Sequence, residues 1–245
     1  MENKKTVSTI IIAVSIVITA IILGGAYKNR NNYTQKISVT GLGSRDFVSD
    51  LIVWSGNFSR TSFELKQAYQ MLNTDRDLIK KYFSSKGVNE KEIIFSSVNI
   101  TKNFEEIYDN QGRVTSRKFS GYTLNESVTI ESKEVEKIEN ISREVTELIN
   151  QGVEFYSENP RYYYTKLAAL KVEMIAEATK DATIRAQKVA VNAGNNLGSL
   201  KNAAMGVFQI VGQNAGEDYS WGGTFNTAAK HKTASITVNC DFEIK

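Results

Sequence analysis

Three residue types are nearly missing from this 245-residue chain: it has one cysteine, one proline and one histidine. A single thiol, Cys240, excludes an intramolecular disulfide and a thiolate metal cluster. A single imidazole, His231, excludes a multi-histidine zinc site and leaves a Ser-His-Asp triad no choice of base. His231 lies between Lys230 and Lys232 at the mouth of the last strand pattern, and with no partner cluster it reads as a solvated edge residue. Runs of Lys and Arg are absent too, and a net charge of +3 is too small to mark a nucleic-acid binder. Neither GxGxxG nor GxxxxGK[ST] occurs, so no phosphate loop is indicated. No cofactor, metal or catalytic residue is expected from this inventory. Were the chain nonetheless an enzyme, Asp181, Arg185 and His231 are the residues whose substitution should abolish turnover.

What is present is otherwise globular: 41% hydrophobic and 23% charged residues, with length enough for a real core. The exception is Thr6 to Tyr27, which carries no charge and can cross a hydrocarbon core of ~30 Å as a helix. Lys4 and Lys5 precede it; Lys28 and Arg30 follow. This predicts a short cytoplasmic N-terminus (1–5), a transmembrane signal anchor (6–27), a polar linker (28–35) and an extracytoplasmic domain (36–245), a single-pass protein of the cell membrane. A cleaved, secreted form is the alternative, although the apolar run exceeds the usual 7–15 residues of a signal sequence and no clear cleavage site follows. The sequons at Asn57, Asn99, Asn125 and Asn140 matter only on a eukaryotic secretory route, which nothing in the chain supports.

The exported part alternates between strand and helix patterns. Ile37 and Val39 open a strand, with a tight turn expected at Gly43-Ser44; Phe47 to Arg60 follows as its hairpin partner, with Ile52, Trp54 and Phe58 on one face. Gly56 interrupts that face and indicates a bulge or a close backbone approach. Leu65, Ala68, Tyr69, Leu72, Ile79 and Phe83 form a helical stripe within Ser62 to Lys86, ended by Gly87. Two strand patterns (Lys91 to Asp109 through Ile94, Ser96, Val98 and Ile100; Val114 to Glu131 with Tyr122, Leu124, Val128 and Ile130 inward) flank an Asn110-Gln111-Gly112 turn. They predict a long hairpin whose charged tip (Glu105, Glu106, Asp109, Arg113, Arg117, Lys118) stands clear of the core. Ser132 is the expected N-cap of a second helix through Asn150, with Val135, Ile138, Ile141, Val145, Leu148 and Ile149 as its stripe. Val153 to Thr165 is strand-like but broken by Pro160. The longest helix opens at Leu167, with Ala178, Ala182, Ala186 and Ala190 in one ridge and Asn192, Gly194 and Asn195 as left-handed residues at its end. This ridge suits an intrachain contact with the sheet, the commoner outcome, with an oligomer seam as the alternative. Ser199 to Val211 and Thr233 to Ile244 are the closing strands. The order predicts an α+β fold of largely antiparallel sheet with packed helices, which could divide near 36–131 and 132–245.

Three stretches taken in this order resemble the SIMPL-domain family (DUF541). Ile37-Ser38-Val39-Thr40-Gly41-Leu42-Gly43 is similar to the family's first strand, xVxGxG. Asp181 to Ala190, with Ala182, Arg185 and Ala186, followed by Gly194, Leu197 and Gly198, resembles its DAxxxAxxlAxxxGxxLG helix end; many members carry an Arg two residues after the Ala, whereas here Thr183 and Ile184 precede Arg185. Ala234 to Val238, before Phe242, resembles the C-terminal strand. The resemblance implies a SIMPL-like fold over roughly Lys36 to Lys245, export in bacteria, and a tendency of some members to form ring- or channel-like oligomers. Oxidative-stress roles have been suggested for bacterial members, and the family offers no established catalytic residues to carry over.

Outside those motifs, exposed aromatics are the candidate contacts: Tyr219, Trp221 and Phe225 in the Gly-rich stretch Gly212 to Thr227, and Tyr162 and Tyr164 in the Tyr run. The functional expectation is a non-catalytic homo-oligomeric scaffold or ring at the cell envelope. The alternative is a monomeric envelope binding module for a protein or small ligand.

Overall fold

The computed structural model describes the backbone of residues 2–30, 36–216 and 220–245, and the side chains of residues 13–27, 36–216 and 220–245. Two compact units interleave along the chain. One comprises Met1–Gly43, Ile175–Gly206 and Ile236–Lys245, the other Ser44–Met174 and Val207–Ser235. Each therefore draws on sequence from both sides of residue 131.

The second unit is built on a six-stranded antiparallel sheet of β2 (Leu51–Ser62), β3 (Ile93–Phe95), β4 (Asn99–Tyr108), β5 (Val114–Ser132), β6 (Phe155–Ser157) and β7 (Arg161–Tyr163). Its order is β3-β5-β2-β6, with β4 beside β5 and β7 beside β2. β2 and β5 pair without a break from Ile52↔Ser132 to Ser62↔Tyr122. Alternation then puts Ile52, Trp54 and Phe58 on one face with Leu124, Val128 and Ile130, and all six are buried. Helices α2 (Leu65–Ser85) and α3 (Val135–Glu144) supply the other half of this core through Ala68, Leu72, Ile79 and Phe83 and through Ile138 and Ile141. Burial of side chains of this size is worth ~1.5–3 kcal/mol each. Gly56 lets the Phe155 ring lie against the strand, since an added Cβ would come within 2.0 Å of it, and the ladder passes through it with no bulge. Pro160 separates β6 from β7 as expected. Two buried carboxylates are held by forked guanidinium contacts: Arg60 donates to Asp75 from Nε and Nη2, and Arg76 to Glu126 likewise.

Several expectations are corrected here. β1 runs from Lys36 to Val48 straight through Gly43-Ser44, and it neighbours β11 instead of forming a hairpin with β2. The chain changes direction at Ser49 and Asp50, whose amides donate to Lys230 O and Tyr163 O. In the Lys91 to Asp109 stretch, Ile93, Phe95 and Val98 pack on the core while Ile94 and Ile100 are exposed, because a break after Phe95 resets the alternation. Leu65 and Tyr69 lie outside the buried stripe of α2, and Asp75 and Tyr82 lie within it. Ser132 is two residues ahead of the true N-cap, Glu134, whose amide its hydroxyl accepts. The helix tightens into a 3-10 segment, Val145–Gln151, which turns Ile149 outward.

In the first unit, the part of β11 (His231–Ile244) from Val238 to Ile244 pairs antiparallel with β8 (Leu197–Met205). Ile236, Val238, Cys240 and Phe242 face inward, as the alternation predicts. The helix α4 (Leu167–Asn192) buries Ala178, Ala182, Ala186 and Ala190 completely. Only Gly194 of its three expected end residues is left-handed, at φ 76°. In the second unit the opening of β11, Lys232 to Ser235, pairs with β9 (Gln209–Gly212), which carries β10 (Thr224–Phe225) in parallel. At the N-terminus α1 is one helix, Glu2–Arg30, and every described side chain from 13 to 27 is exposed. Among the described residues no helix is long and apolar enough to cross a membrane.

Candidate functional site

The feature that departs furthest from a closed core is the β4–β5 arm. β5 pairs with β2 only from Tyr122 onward, while β4 follows it out to Val114. Beyond Tyr122 the two strands therefore form a ribbon. Its turn is closed by Asp109, which accepts from the amides of Gln111 and Arg113 and from Arg113 Nε, and by Gly112 at φ 75°. Ile100, opposite the buried Leu124, starts a line that continues through Phe104 opposite Phe119 and Tyr108 opposite Val114. This is the core face carried past the helices, and Ile100, Phe104, Tyr108, Val114 and Phe119 are all exposed on it. The rings stack edge-on, Phe104 to Phe119 at 6.0 Å and Phe119 to Tyr122 at 5.1 Å between centroids. At the tip Arg117 pairs with Glu106 at 2.7 Å, and Glu106 also accepts from the Tyr108 hydroxyl, which together hold its carboxyl below the usual range.

The aromatic loop is anchored at its base and open at its tip. The buried Gln209 side chain bonds both the carbonyl and the amide of Ser220, at 2.7 and 3.3 Å. Asn226 N donates to Ile210 O and Tyr162 N to Thr227 O. Between these ties Trp221 is 100% exposed; Phe225 is half exposed, its ring 6.5 Å from Tyr163. Tyr219 lies outside the described residues. The Tyr run divides: Tyr162 is buried in the core, so it is corrected from a contact candidate to a packing residue, while Tyr164 is half-buried against Phe47 at 4.8 Å. His231 is exposed at the start of β11, where its carbonyl accepts from Gln213 N.

Also in the second unit, an open cleft of about 650 Å³ is lined by Ser49, Asp50, Lys133, Glu134, Lys137 and Lys230, among others. Two of its lysines are paired: Lys230 with Glu139 at 3.0 Å, and Lys137 with Glu134 and Gly87 O. Behind Ser49 lies Lys232, 1% exposed, donating to Ser49 Oγ at 3.0 Å and to Tyr162 O. Among the described residues no carboxylate bonds it, and burial pushes its ammonium down to about 8. Sequence reasoning passed over Lys232, Glu126 and Asp75, yet the patterns contained them. Lys232 has the inward parity of Ala234 and Ile236, Glu126 that of Leu124 and Val128, and Asp75 falls on the Leu72–Ile79 stripe. Among the described residues no group of three or more His, Cys, Asp or Glu side chains is placed to hold a metal.

The motif residues have a packing role in the first unit. A Cβ on Gly41 would stand 2.0 Å from Ala178 O and 2.5 Å from Ala182 N, so the helix backbone rests directly on the strand there. Asp181 Oδ2 accepts from Leu42 N and pairs with Arg185, each at 2.8 Å, which lowers its pKa. Ala182 and Ala186 complete the buried ridge, Gly43 is buried in β1, and Gly194 ends the helix. Gly198 lets β8 approach Glu243, where an added Cβ would be 2.9 Å from Glu243 O. These contacts define an α+β protein of antiparallel sheets with close-packed helices, in which the sequence motifs supply packing joints. Residues 37–242 match SIMPL, described as a protein of unknown function (DUF541), and the chain belongs to that family. No curated protein matches it.

Proposed function

We propose that this SIMPL-family chain is a membrane-anchored, non-catalytic protein whose extracytoplasmic domain self-assembles into an oligomeric scaffold or ring at the cell envelope. The observation that carries the assembly reading is the arm: a ribbon with Ile100, Phe104, Tyr108, Val114 and Phe119 exposed on a single face. Exposed apolar side chains on one face, interspersed with Lys102, Glu106 and Arg117, favour contact with another protein surface. Unpaired edges on the same ribbon add a template for strand pairing. The anchor reading draws on the uncharged stretch Thr6 to Tyr27 within the continuous helix α1, which at ~1.5 Å per residue is long enough for a bilayer core. Lys4 and Lys5 before the stretch nearly balance Lys28 and Arg30 after it, so the orientation reading rests on the short N-terminus staying inside.

The test is the absolute mass of the full chain in detergent, and of residues 28–245 in buffer, by light scattering. A discrete oligomer from both is expected. Assembly of the full chain alone would assign the association to α1. A monomer from both would overturn the scaffold and leave a binding module, with Trp221 as its first contact to mutate.

A further inference from the structure

We propose that the free edge of β4 pairs antiparallel with β4 of a second copy of this chain, in the register centred on Phe104. The proposal rests on the self-assembly reading above and names the edge and the register that carry it.

Among the described residues β4 is hydrogen-bonded to β5 on one side only. Edge strands are commonly protected by bulges. The arm has two irregularities, between Asn103 and Phe104 and between Ile107 and Tyr108, but in both the extra residue is on β5 (Ser120 and Thr115). β4 itself stays regular, so Ile100, Lys102, Phe104, Glu106 and Tyr108 share one face. The outer edge is thus a straight ladder template from Asn99 to Tyr108.

Symmetry then limits the pairing. Two copies of a strand that join antiparallel in one sheet are related by a two-fold axis perpendicular to that sheet. Such an axis keeps every side chain on its own face, and directly opposed residues share a face. The register must therefore be centred on a residue, which opposes its own copy. Centring on Lys102 sets lysine against lysine, and centring on Glu105 sets glutamate against glutamate, each destabilising. Centring on Asn103 sets Glu106 against Ile100 and Lys102 against Phe104, wasting both charges. Centring on Phe104 pairs every residue from Ile100 to Tyr108. Phe104 meets Phe104, Lys102 meets Glu106 on both sides of the axis, and Ile100 meets Tyr108. Glu106 already accepts from Arg117 and Tyr108, so the incoming lysine joins an ordered carboxylate. The same axis merges the exposed Ile100–Phe104–Tyr108 rows of the two copies into one strip in which apolar pairs alternate with Lys102–Glu106 pairs.

The experiment uses the full chain in detergent. Lys102→Glu and Glu106→Lys are each expected to halve the assembled mass, and the double exchange, which restores opposite charges, to return it. In a Cys240→Ala background, Phe104→Cys is expected to give a covalent dimer under mild oxidation, because opposed Cα atoms in an antiparallel pair lie within disulfide reach. Glu105→Cys, which faces Asn103, is expected to give none. Circular dichroism of each variant checks the fold, and all these arm positions are on the ribbon, away from the core. An assembly whose mass ignores the charge exchanges, or a Phe104→Cys chain that assembles without cross-linking, overturns the β4 register and leaves self-assembly standing through another face. A wild-type monomer overturns both.

Discussion

The two ends of β5 turn apolar residues to one face and meet opposite fates. From Tyr122 to Ser132 the strand has β2 on one side and β3 or β4 on the other, and its inward residues Leu124, Val128 and Ile130 are sealed by α2. From Val114 to Gly121 it has β4 alone, and Val114 and Phe119 stay in solvent. An alternating apolar row specifies which face a strand will bury, but not what will cover it. Over the inner half the cover is intrachain. The helices end before the outer half, and the same face continues as an exposed surface. A part of a fold that looks unfinished by its own chemistry is the natural place for a second molecule.

The comparison breaks most visibly at charge pairs. Removing Arg76 leaves Glu126 buried without its forked partner, and Arg76→Ala should cost about 3–5 kcal/mol in denaturant unfolding. Arg117→Ala removes a pair on the arm that water and salt already screen, and the unfolding midpoint should not move measurably. Equal losses would mean that the arm is as integral to stability as the base. Apolar truncation sharpens the point on neighbouring residues. Leu124→Ala, at a fully buried position, is expected to cost about 3 kcal/mol. Phe104→Ala, more than half exposed, should change monomer stability by no more than about 0.5 kcal/mol while lowering the assembled mass. In the first unit Gly41→Ala pushes a methyl group into the backbone of α4 and should cost about 2–3 kcal/mol, measurable as a lower unfolding midpoint.

Much of this was legible. Ile52, Trp54 and Phe58 announced the core face of β2, the four alanines announced the buried side of α4, and Asn110-Gln111-Gly112 announced the turn of the arm. Local periodicity and turn chemistry suffice for such elements. Strand pairing is another matter. A two-residue connection between β1 and β2 reads as a hairpin, yet Ser49 and Asp50 redirect the chain because Lys230 O and Tyr163 O, distant in sequence, take their amides. Tyr162 reads as a surface aromatic until β7 is placed against β2, which turns its ring inward. Of the candidate contacts, Trp221 and Phe225 are exposed as read, and the arm, read only as a charged tip, proves to have an apolar face. On β4 that face follows the Ile100 parity through Phe104 to Tyr108, but on β5 the extra residues Ser120 and Thr115 shift Phe119 off the Leu124 parity, and no local signal shows that the core stops at Tyr122.

The smallest contrast is between buried charges with and without a counter-charge. Asp75 and Glu126 are each met by an arginine; Lys232, equally buried, has among the described residues Ser49 Oγ and Tyr162 O as its acceptors. Burial disfavours its ammonium, so the folded chain releases that proton near pH 8, whereas the unfolded chain holds it to the ordinary lysine value of 10.5. Between those values the unfolded state binds more protons, and stability must rise with pH. For one such site the gain is about 2 kcal/mol between pH 7 and 9.5. Lys232→Met deletes the titrating group while retaining an unbranched apolar stem; in a Cys240→Ala background, used because burial also raises that thiol's pKa and opposes the effect, denaturant unfolding at the two pH values should show the rise with Lys232 present and lose it in the variant. A rise that survives the substitution would assign it to another group and make Lys232 a cation as well accommodated as the paired ones.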